Sequence, residues 1–415
     1  MLHAFDTSSG KEEWAYAPPD TLANLGRSVQ RGWVYQTLLD ATPGYGRLSS
    51  GKKLLVGGLG AAGRSYYALD VSNPKNLNAA GAAAQFRWIF PASADAANRA
   101  KMGYTVGKPV ITKTGDGDVV LLSSGVDNAQ AVGDGKGRLW VLNADNGAVI
   151  KIFKTAAGST AAEAGLSHVS AFKETDGSVR YAFGGDLLGN VWRFDLEKTG
   201  VGELDADLLA VLLDAAGNAQ PVTSAPEMIS LNGKRIVLLG TGRLLDIGDF
   251  GNNRTQSFYA IADGPALNNA RASLVHQVYS RGSNGAGTLT QNTVNWASDR
   301  GWYLDLPAGE QANTDPIVTY GAVAFVSNIN GATDCSQSSY LYLIDVGSGS
   351  LAASETTASW LIAANASSSR VITLRVIEGK IVGLTHRSDN SVFQQRLPLG
   401  QTITPAKSAW REIRR

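Results

Sequence analysis

A short phrase recurs along this chain: an apolar strand ends in Asp or Asn, and a tight turn with glycine follows. The clearest copies are Leu2–Gly10 (LHAFDTSSG), Leu139–Gly147 (LWVLNADNG) and Leu341–Gly349 (LYLIDVGSG). Looser copies are Tyr66–Asp70, Val191–Asp195, Phe258–Asp263 and Trp302–Leu306. About seven copies at intervals of roughly 40–80 residues, near or above the ~40–50 residues of propeller blades, indicate one supersecondary unit stacked many times. The pattern predicts an all-β fold, with a β-propeller as the best candidate.

The phrase has a local physical reason. Alternating aromatic and β-branched residues suit a half-buried strand. Asp or Asn at the strand end can accept hydrogen bonds from the backbone of the turn, and glycine supplies the positive φ of a tight reversal. The chain then re-enters the sheet, as Val149–Phe153 does after Gly147.

A second strand type lies between the copies and is almost continuously apolar before it ends in glycines. Its examples are Leu54–Gly60, Val119–Gly125, Tyr181–Asp186 and Ile236–Gly242. Continuous hydrophobicity predicts burial on both faces, as in a middle strand of a blade, and terminal glycines let strands crowd together. Because none of these runs opens a helix, Gly57–Gly63 is not expected to bind a dinucleotide or phosphate.

Composition supports one large β domain. The 415 residues contain 47 Gly and 13 Pro, as many turns require, and the Ala-rich stretch 77–85 is too short and too interrupted by glycine to predict a helix. A repeat array can absorb this length, so we predict a single β-propeller domain over residues 1–415. A net charge of +1 gives no support for nucleic-acid binding.

Targeting signals and cysteines add little. The sequence has no apolar run of 18 residues and no signal-peptide pattern, so neither a transmembrane segment nor a signal peptide is expected. The chain begins inside a repeat, which predicts a fragment of a longer protein. The single cysteine, Cys335, excludes an internal disulfide and is either a small buried residue or the mate of a cysteine elsewhere.

Residues typical of catalysis are scattered. His3, His168, His276 and His386 show no metal-ligand spacing, and no Gly-x-Ser-x-Gly elbow is present. Long loops at 17–50, 91–101, 155–165 and 264–298 are predicted at the blade rims, and they do not gather His, Cys or carboxylates. These features predict that the protein is not an enzyme.

Two acidic loops are candidates for calcium. In Lys173–Arg180, Glu174 and Asp176 alternate around Gly177, with Ser178 as a weaker third oxygen donor. The competing interpretation is an ordinary hairpin turn with Asp-Gly at its apex. The second loop, Thr114–Asp118, allows the same two interpretations.

An ordered set of motifs resembles the C-terminal domain of the PilY/PilC family of type IV pilus proteins. The most specific is Gly184–Asp195 (GGDLLGNVWRFD). The others, in chain order, are Met1–Asp6, Leu54–Gly60 with Tyr66–Asp70, Gly103–Val110, Gly240–Arg243, Gln256–Tyr259, Gly301–Leu306 and Thr314–Pro316. The resemblance runs from Met1 to about Gly349, and in that family the MLHAFD phrase is internal, which agrees with a C-terminal fragment of a longer secreted protein.

The resemblance implies a modified propeller of seven blades with long rim loops. It also implies a location at the cell surface of a Gram-negative bacterium, at the pilus tip or the outer membrane. There the protein would promote pilus extension by opposing retraction, and support adhesion and twitching motility. The implied partners are minor pilins or the pilin tip complex, together with a host cell surface or matrix protein.

In that family the loop before the GDLLGN strand often reads Asp-x-Asp-x-Asp-Gly-x-x-Asp and binds regulatory Ca²⁺. The four acidic positions here are Phe172, Glu174, Asp176 and Arg180. Either calcium binding is lost or weakened, which we favour, or Arg180 replaces the ion by bridging Glu174 and Asp176. If binding survives, Glu174 and Asp176 are the expected ligands.

Two other classes of function stay open. The spacing Ala4-x-Asp6-x-x-x-Gly10-x-x-x-Trp14 also resembles the tryptophan-docking repeat of quinoprotein dehydrogenases, which hold pyrroloquinoline quinone and calcium. The pattern decays in later copies, with Lys151 and Ala353 among the departures, and the adjacent cysteine pair common near that cofactor is absent from the sequence. The third class is a propeller that serves only as an assembly scaffold, without adhesion.

Overall fold

The computed structural model describes residues 1–27, 29–32, 37–75, 78–129, 133–174, 177–283, 286–319, 321–331, 337–352, 355–363, 371–377, 380–387 and 391–397. These residues form a nearly all-β fold, as predicted. Cys335 lies outside them. No helix in this part of the chain is both long and apolar enough to cross a bilayer.

The strands form sheets that we number 1 to 7 in chain order. Sheet 1 pairs β1 (Leu2–Phe5) with β2 (Glu12–Tyr16). Sheet 2 contains β3 (Gly44–Arg47), β4 (Lys53–Gly58), β5 (Tyr66–Asp70) and β6 (Phe86–Phe90) in that order. Sheet 3 has the order β14-β10-β9-β8-β7, with bounds β7 (Val110–Thr114), β8 (Gly117–Ser123), β9 (Arg138–Asn143), β10 (Val149–Lys154) and β14 (Glu203–Asp205).

Sheet 4 has the order β11 (Val169–Lys173), β12 (Val179–Gly185), β13 (Asn190–Asp195) and β15 (Asp207–Val211). Sheet 5 has the order β16 (Glu227–Leu231), β17 (Lys234–Gly240), β18 (Ser257–Ala262), β22 (Gly301–Asp305) and β19 (Val275–Gln277). A separate hairpin joins β20 (Tyr279–Arg281) to β21 (Gly287–Leu289).

Sheet 6 has the order β23 (Glu310–Gln311), β25 (Ala322–Asn330), β26 (Gln337–Asp345) and β27 (Ser359–Ala363), and β24 (Ile317–Thr319) also pairs with β25. Sheet 7 contains β28 (Val371–Ile377), β29 (Lys380–His386) and β30 (Val392–Leu397). Because these sheets range from two to five strands, strand pairing alone does not count blades, and seven blades stay a prediction.

Short helices connect some strands: α1 (Pro19–Arg27), α2 (Ala79–Gln85), α3 (Ala96–Arg99) and two 3₁₀ turns, Ile247–Asp249 and Ala270–Ala272. From the sequence we expect no helix in the Ala-rich stretch. That prediction is wrong, because α2 forms there. Asn78 caps α2, since its side-chain oxygen accepts a hydrogen bond from the Gly81 N–H at 2.8 Å. Such a cap stabilises a helix that glycine would otherwise weaken.

In each clear copy the recurring phrase forms a strand and the turn that follows it. In the first copy, the Gly10 N–H donates to the Asp6 carbonyl at 2.8 Å, and Asp6 Oδ1 accepts the N–H groups of Ser8 and Ser9 at 3.0 Å. Asn143 and Asp345 organise the turns of the other clear copies in the same way. The turn glycines have φ near +70° in all three copies. The predicted turn chemistry is confirmed.

The apolar strands that end in glycine are middle strands, as predicted. In β8, Val120 and Leu122 pack into a core shared with sheet 2, whereas Val119 and Leu121 pack into a core shared with sheet 4. Successive side chains of a strand point to opposite faces, so a strand buried between two neighbours must be apolar throughout. The hydrophobic core is therefore divided into layers between consecutive sheets.

Tryptophans reinforce these layers by docking on the turn of the next sheet. Trp88 of β6 donates its Nε1–H to the Ala144 carbonyl at 3.1 Å, and a Cβ at Gly147 would lie 2.6 Å from the indole Cγ. Trp302 of β22 repeats the contact on the last clear copy of the phrase, where Gly349 has the equivalent place. Tryptophan docking is thus a structural contact between sheets here.

The glycines at the ends of the middle strands lie where the chain enters the next sheet. The Ala312 N–H donates to the Thr241 carbonyl at 2.9 Å, next to Gly240, and the Gly60 N–H donates to Thr105 at 3.2 Å, near Gly58. A Cβ at Gly240 would lie 2.2 Å from the Ala312 carbonyl oxygen. These glycines are required by close backbone approach.

We therefore predict that Gly240→Ala lowers the free energy of unfolding by about 2–4 kcal/mol, because the methyl group overlaps a backbone oxygen that must shift. Gly115→Ala is the matched control, since a Cβ there meets no atom within 4 Å and neither glycine has a left-handed φ. Urea denaturation of both variants measures the difference. Equal, small effects would show that the crossing is looser than the structure indicates.

Candidate functional site

The loop predicted as a calcium site forms the turn between β11 and β12. The Glu174 N–H donates to the Ser178 carbonyl at 2.8 Å, and the Gly177 N–H donates to the Glu174 carbonyl at 2.9 Å. Gly177 has φ +82°, which glycine adopts without strain. The described residues thus form a tight hairpin turn. Asp176 lies outside the described residues.

The charged groups of this loop face partners on other strands. Arg180 Nη2 lies 3.3 Å from Asp195 Oδ2, and Arg180 Nε lies 3.2 Å from Glu197 Oε2. The carboxylate of Glu174 lies 3.9 Å from Arg235 Nη1, on β17 of sheet 5. Glu174 is the one carboxylate that the described residues 173–174 and 177–180 offer a cation, and it faces an arginine.

Three arginines surround the ring of Tyr181, which follows this loop. The guanidinium carbons of Arg235, Arg180 and Arg193 lie 4.3, 4.9 and 5.8 Å from the ring centroid. Arg193 and Arg235 also bind the two carboxylate oxygens of the nearly buried Asp263, each at 2.8 Å. We call Arg180, Arg193 and Arg235 the arginine cluster. Because Arg235 faces Glu174, its positive charge opposes a metal ion next to that carboxylate.

The acids of the second candidate loop also have partners, one within sheet 3 and one in the turn between β3 and β4 of sheet 2. Asp116 lies 2.6 Å from Lys151 Nζ. Asp118 accepts hydrogen bonds from the backbone N–H and the hydroxyl of Ser49, at 2.7 and 2.9 Å. These contacts fix the turn against adjacent strands. Nowhere in the described part of the chain do three His, Cys, Asp or Glu side chains gather in a metal-binding arrangement.

The histidines are as dispersed as the sequence indicates. His3 lies on β1, His168 just before β11, His276 on β19 and His386 on β29. His276 stacks on Tyr303 with ring centroids 4.5 Å apart, and its pKa is lowered by burial, although Asp305 opposes that shift. His3 contacts Glu12 at 2.9 Å. Each has a structural environment of its own.

Asp186, in the GDLLGN motif, is a buried carboxylate that the sequence did not single out. It accepts the N–H groups of Leu188 and Asn190 at 2.9 and 2.8 Å, and the indole Nε1–H of Trp192 at 2.8 Å. Burial raises its pKa to about 6, although the hydrogen bonds from Trp192 and Asn190 oppose the shift. Its own carbonyl accepts the Val222 N–H at 3.0 Å, which ties the turn to the chain entering sheet 5.

The same loop chemistry recurs at Asp214, four residues before Asn218. Asp214 accepts the N–H groups of Ala216 and Asn218 at 2.9 and 2.8 Å. Burial alone would raise the pKa of Asp214. The hydrogen bonds from the side chain and backbone of Asn218 outweigh that effect, so the pKa is lowered. The repeated Asp-x-x-Gly-Asn spacing was the signal that could have identified both turns. Both carboxylates serve as turn acceptors.

We predict opposite pH signatures for the two turns. The pKa of Asp186 is higher in the folded than in the unfolded chain, so its contribution to stability is present below pH 4 and is lost as the pH rises through about 6, by about 2–4 kcal/mol. In Asp186→Asn that pH-dependent loss should vanish. The lowered pKa of Asp214 has the reverse sign, so stability is lost as the pH falls below 4, and Asp214→Asn should remove that loss.

Denaturation of the wild type and both variants between pH 3 and 8 measures these slopes. The pH dependence of the difference between wild type and variant is the decisive quantity, because either substitution also changes the overall level of stability. A difference that is constant across this range for Asp186→Asn would contradict the raised pKa of Asp186.

Comparison with known proteins assigns the family. A family model described as the PilY1 beta-propeller domain matches residues 37–300. The chain belongs to the PilY1 β-propeller domain family. The resemblance drawn from the motifs is confirmed, and so is the propeller fold class.

Two proteins of Xylella fastidiosa named type IV pilus biogenesis factor PilY1 homolog resemble this member of the PilY1 family. One is 29% identical over 392 residues and the other is 31% identical over 324 residues, covering 85% and 74% of this chain. The Pseudomonas aeruginosa type IV pilus biogenesis factor PilY1 is 27% identical over 358 residues, covering 74% of this chain. The chain spans 26%, 24% and 30% of the lengths of these relatives.

A solved PilY1 structure has the same fold. The crystal structure of the Pseudomonas aeruginosa PilY1 C-terminal domain superimposes with a TM-score of 0.72 and 22% sequence identity. The superposition covers 95% of this chain and 90% of that domain. At this identity the likeness is one of architecture.

Proposed function

We propose that this chain is the β-propeller part of a type IV pilus biogenesis factor that acts at the bacterial cell surface. The observation that carries the proposal is the PilY1 family match over residues 37–300. The names of the relatives, type IV pilus biogenesis factors, support it. We also propose that residues 1–415 form one domain, because shared cores join the consecutive sheets.

The finer proposal is a tip-associated adhesin that opposes retraction, and so supports twitching motility and surface attachment. The cores between sheets and the docked Trp88 and Trp302 favour a rigid body, which suits a protein under mechanical load. The partners we propose are minor pilins or the pilin tip complex, and a host cell surface or matrix protein. The location we propose is the pilus tip or outer membrane of a Gram-negative bacterium.

A pure scaffold is the second candidate, and binding of the purified protein to host cells or matrix proteins separates it from an adhesin, since a scaffold shows none. A quinoprotein-like dehydrogenase is less well supported. Trp88 and Trp302 show that tryptophan docking needs no cofactor to explain it, because each indole fills the space above a turn glycine of the next sheet.

Surface pilus counts test the proposed role. The gene encoding this chain is deleted in one strain that has the retraction ATPase and in another that lacks it. Each strain is then complemented with the wild-type gene. We expect pili to be lost in the single deletion and to return when retraction is also removed, because the factor opposes retraction. Unchanged piliation in both backgrounds would contradict the proposal and favour a dedicated adhesin.

We also propose that calcium binding at the β11–β12 loop is lost or greatly weakened. Calcium prefers six to eight oxygen ligands. The described loop residues offer the Glu174 carboxylate, which is 3.9 Å from Arg235, while Arg180 occupies an acidic position of the family pattern. The arginine cluster holds this hairpin to sheets 4 and 5 with charges of the protein itself.

Arg180→Asp is expected to create calcium affinity, because it removes a positive charge and restores a carboxylate at an acidic position of the family pattern. Calcium should leave the free energy of unfolding of the wild type unchanged. It should raise that of the variant by about 2.7 kcal/mol when the calcium concentration is 100 times Kd, which a shift of the thermal midpoint reports. Arg180→Ala is the control that removes charge without adding a ligand. Calcium-dependent stabilisation of wild type that a chelator reverses would contradict the proposed loss.

A further inference from the structure

Sheet 1 differs from the sheets that follow it. The phrase beginning at Leu2 places β1 in the same position as β5, β9 and β26, each of which is followed by the Asp or Asn turn. In sheets 2, 3 and 6 that strand pairs on its other side with an apolar strand: β4, β8 or β25. Within the described residues β1 pairs with β2 alone.

The free edge of β1 offers backbone groups for pairing. The Asp6 N–H donates across the hairpin to the Lys11 carbonyl at 2.8 Å. Backbone groups alternate in direction along a strand, so Leu2, Ala4 and Asp6 point toward β2. His3 and Phe5 therefore present their N–H and C=O groups to the opposite side, where no described strand lies.

A groove of about 330 Å³ runs along this edge. Every residue from Leu2 to Asp6 lines it, whichever face the side chain is on, and Glu13 and Trp14 of β2 line it as well, so the groove borders the whole length of β1. The opposite wall is mixed, with Tyr45 and Leu55 of sheet 2 next to Lys53. Phe5 and Tyr45 are 58% and 62% exposed, unlike the buried aromatic residues between the other sheets.

Trp14, which also lines the groove, gives a second indication that a contact is incomplete. Its indole nitrogen is buried and has no hydrogen-bond partner among the described residues. The indoles of Trp88, Trp192 and Trp302 all donate a hydrogen bond. An unpaired buried donor is costly, so an acceptor delivered into this region would stabilise it.

We propose that this groove accepts an extended polypeptide strand from outside residues 1–415, which adds to the free edge of β1. The repeat specifies its chemistry: a short, continuously apolar strand that ends in glycine, as in β4 and β17. By analogy with the pairing of β4 and β5, it lies antiparallel to β1, with its first apolar residue opposite Asp6 and its glycines opposite His3 and Leu2. Backbone pairing supplies affinity and the alternating pockets supply specificity.

The observations favour such a strand over a second copy of this chain. The strands of the required type, β4, β8, β12, β17 and β25, each pair on both sides within their own sheets. The β1 strand of a second copy alternates between exposed and half-buried residues instead. The groove is lined by both Lys53 and Lys75 and both Asp6 and Glu13, so a strand without net charge suits it.

A labelled peptide with the sequence of residues 236–242 (IVLLGTG), blocked at both ends so that it carries no charge, tests the proposal by fluorescence anisotropy with the full chain. We expect saturable binding, and protection of the segment Leu2–Asp6 from hydrogen exchange on binding. Phe5→Pro removes an N–H at the free edge and should weaken binding about tenfold. Phe5→Ala removes the ring but keeps the N–H, so it should change binding by less than about threefold.

Several outcomes would overturn strand addition. Equal losses in Phe5→Pro and Phe5→Ala would indicate a side-chain patch, as would equal binding of a rearranged peptide in which polar and apolar residues alternate. Self-association of the wild type through this edge is the alternative. It would assign the edge to a second copy if Phe5→Pro abolishes it and the peptide does not compete with it. If Phe5→Pro fails to fold, the absence of exchange protection at Leu2–Asp6 in peptide-bound wild type decides against the proposal.

Discussion

Close backbone approach between consecutive sheets is the constraint on which the rest of this fold depends. The chain that enters a new sheet crosses the end of a middle strand of the previous one, and no side chain fits at that crossing. At Gly240 the neighbouring carbonyl oxygen lies 2.2 Å from where a Cβ would be, and at Gly58 the corresponding distance is 2.4 Å. Once these crossings are made, the sheets face one another and the apolar middle strands have cores on both sides.

This arrangement divides stability among neighbouring pairs of sheets. Each core belongs to two sheets, and docked tryptophans such as Trp88 join one sheet to the turn of the next. Among the described residues, the strands β5, β9 and β26 each pair with a neighbour on both sides, so they offer no free edge for strand addition. The strand β1 has the same place in the repeat but pairs with β2 alone within the described residues, so its other edge, in the groove lined by Tyr45, is open to strand addition.

The sequence predicted what is local and repeated. The Asp or Asn turns, the apolar middle strands and their terminal glycines follow from residues adjacent in the chain, and the structure confirms them at Asp6, Asn143 and Asp345. The burial of Asp186 and the pairing of Glu174 with Arg235 depend on chain segments tens of residues away, so no local pattern indicates them. The helix α2 was missed because its cap at Asn78 outweighs the glycine within it.

The arginine cluster suggests how a surface hairpin keeps its position without a metal ion. A divalent ion would draw oxygen ligands together within one loop, whereas Arg193 and Arg235 join Asp263 of sheet 5 to residues of sheet 4 and stack against Tyr181. Guanidinium groups stay charged across the physiological pH range, so such a clamp is permanent. If calcium binding is lost, as proposed, this hairpin keeps its position at any calcium concentration, because the charges that hold it belong to the chain itself.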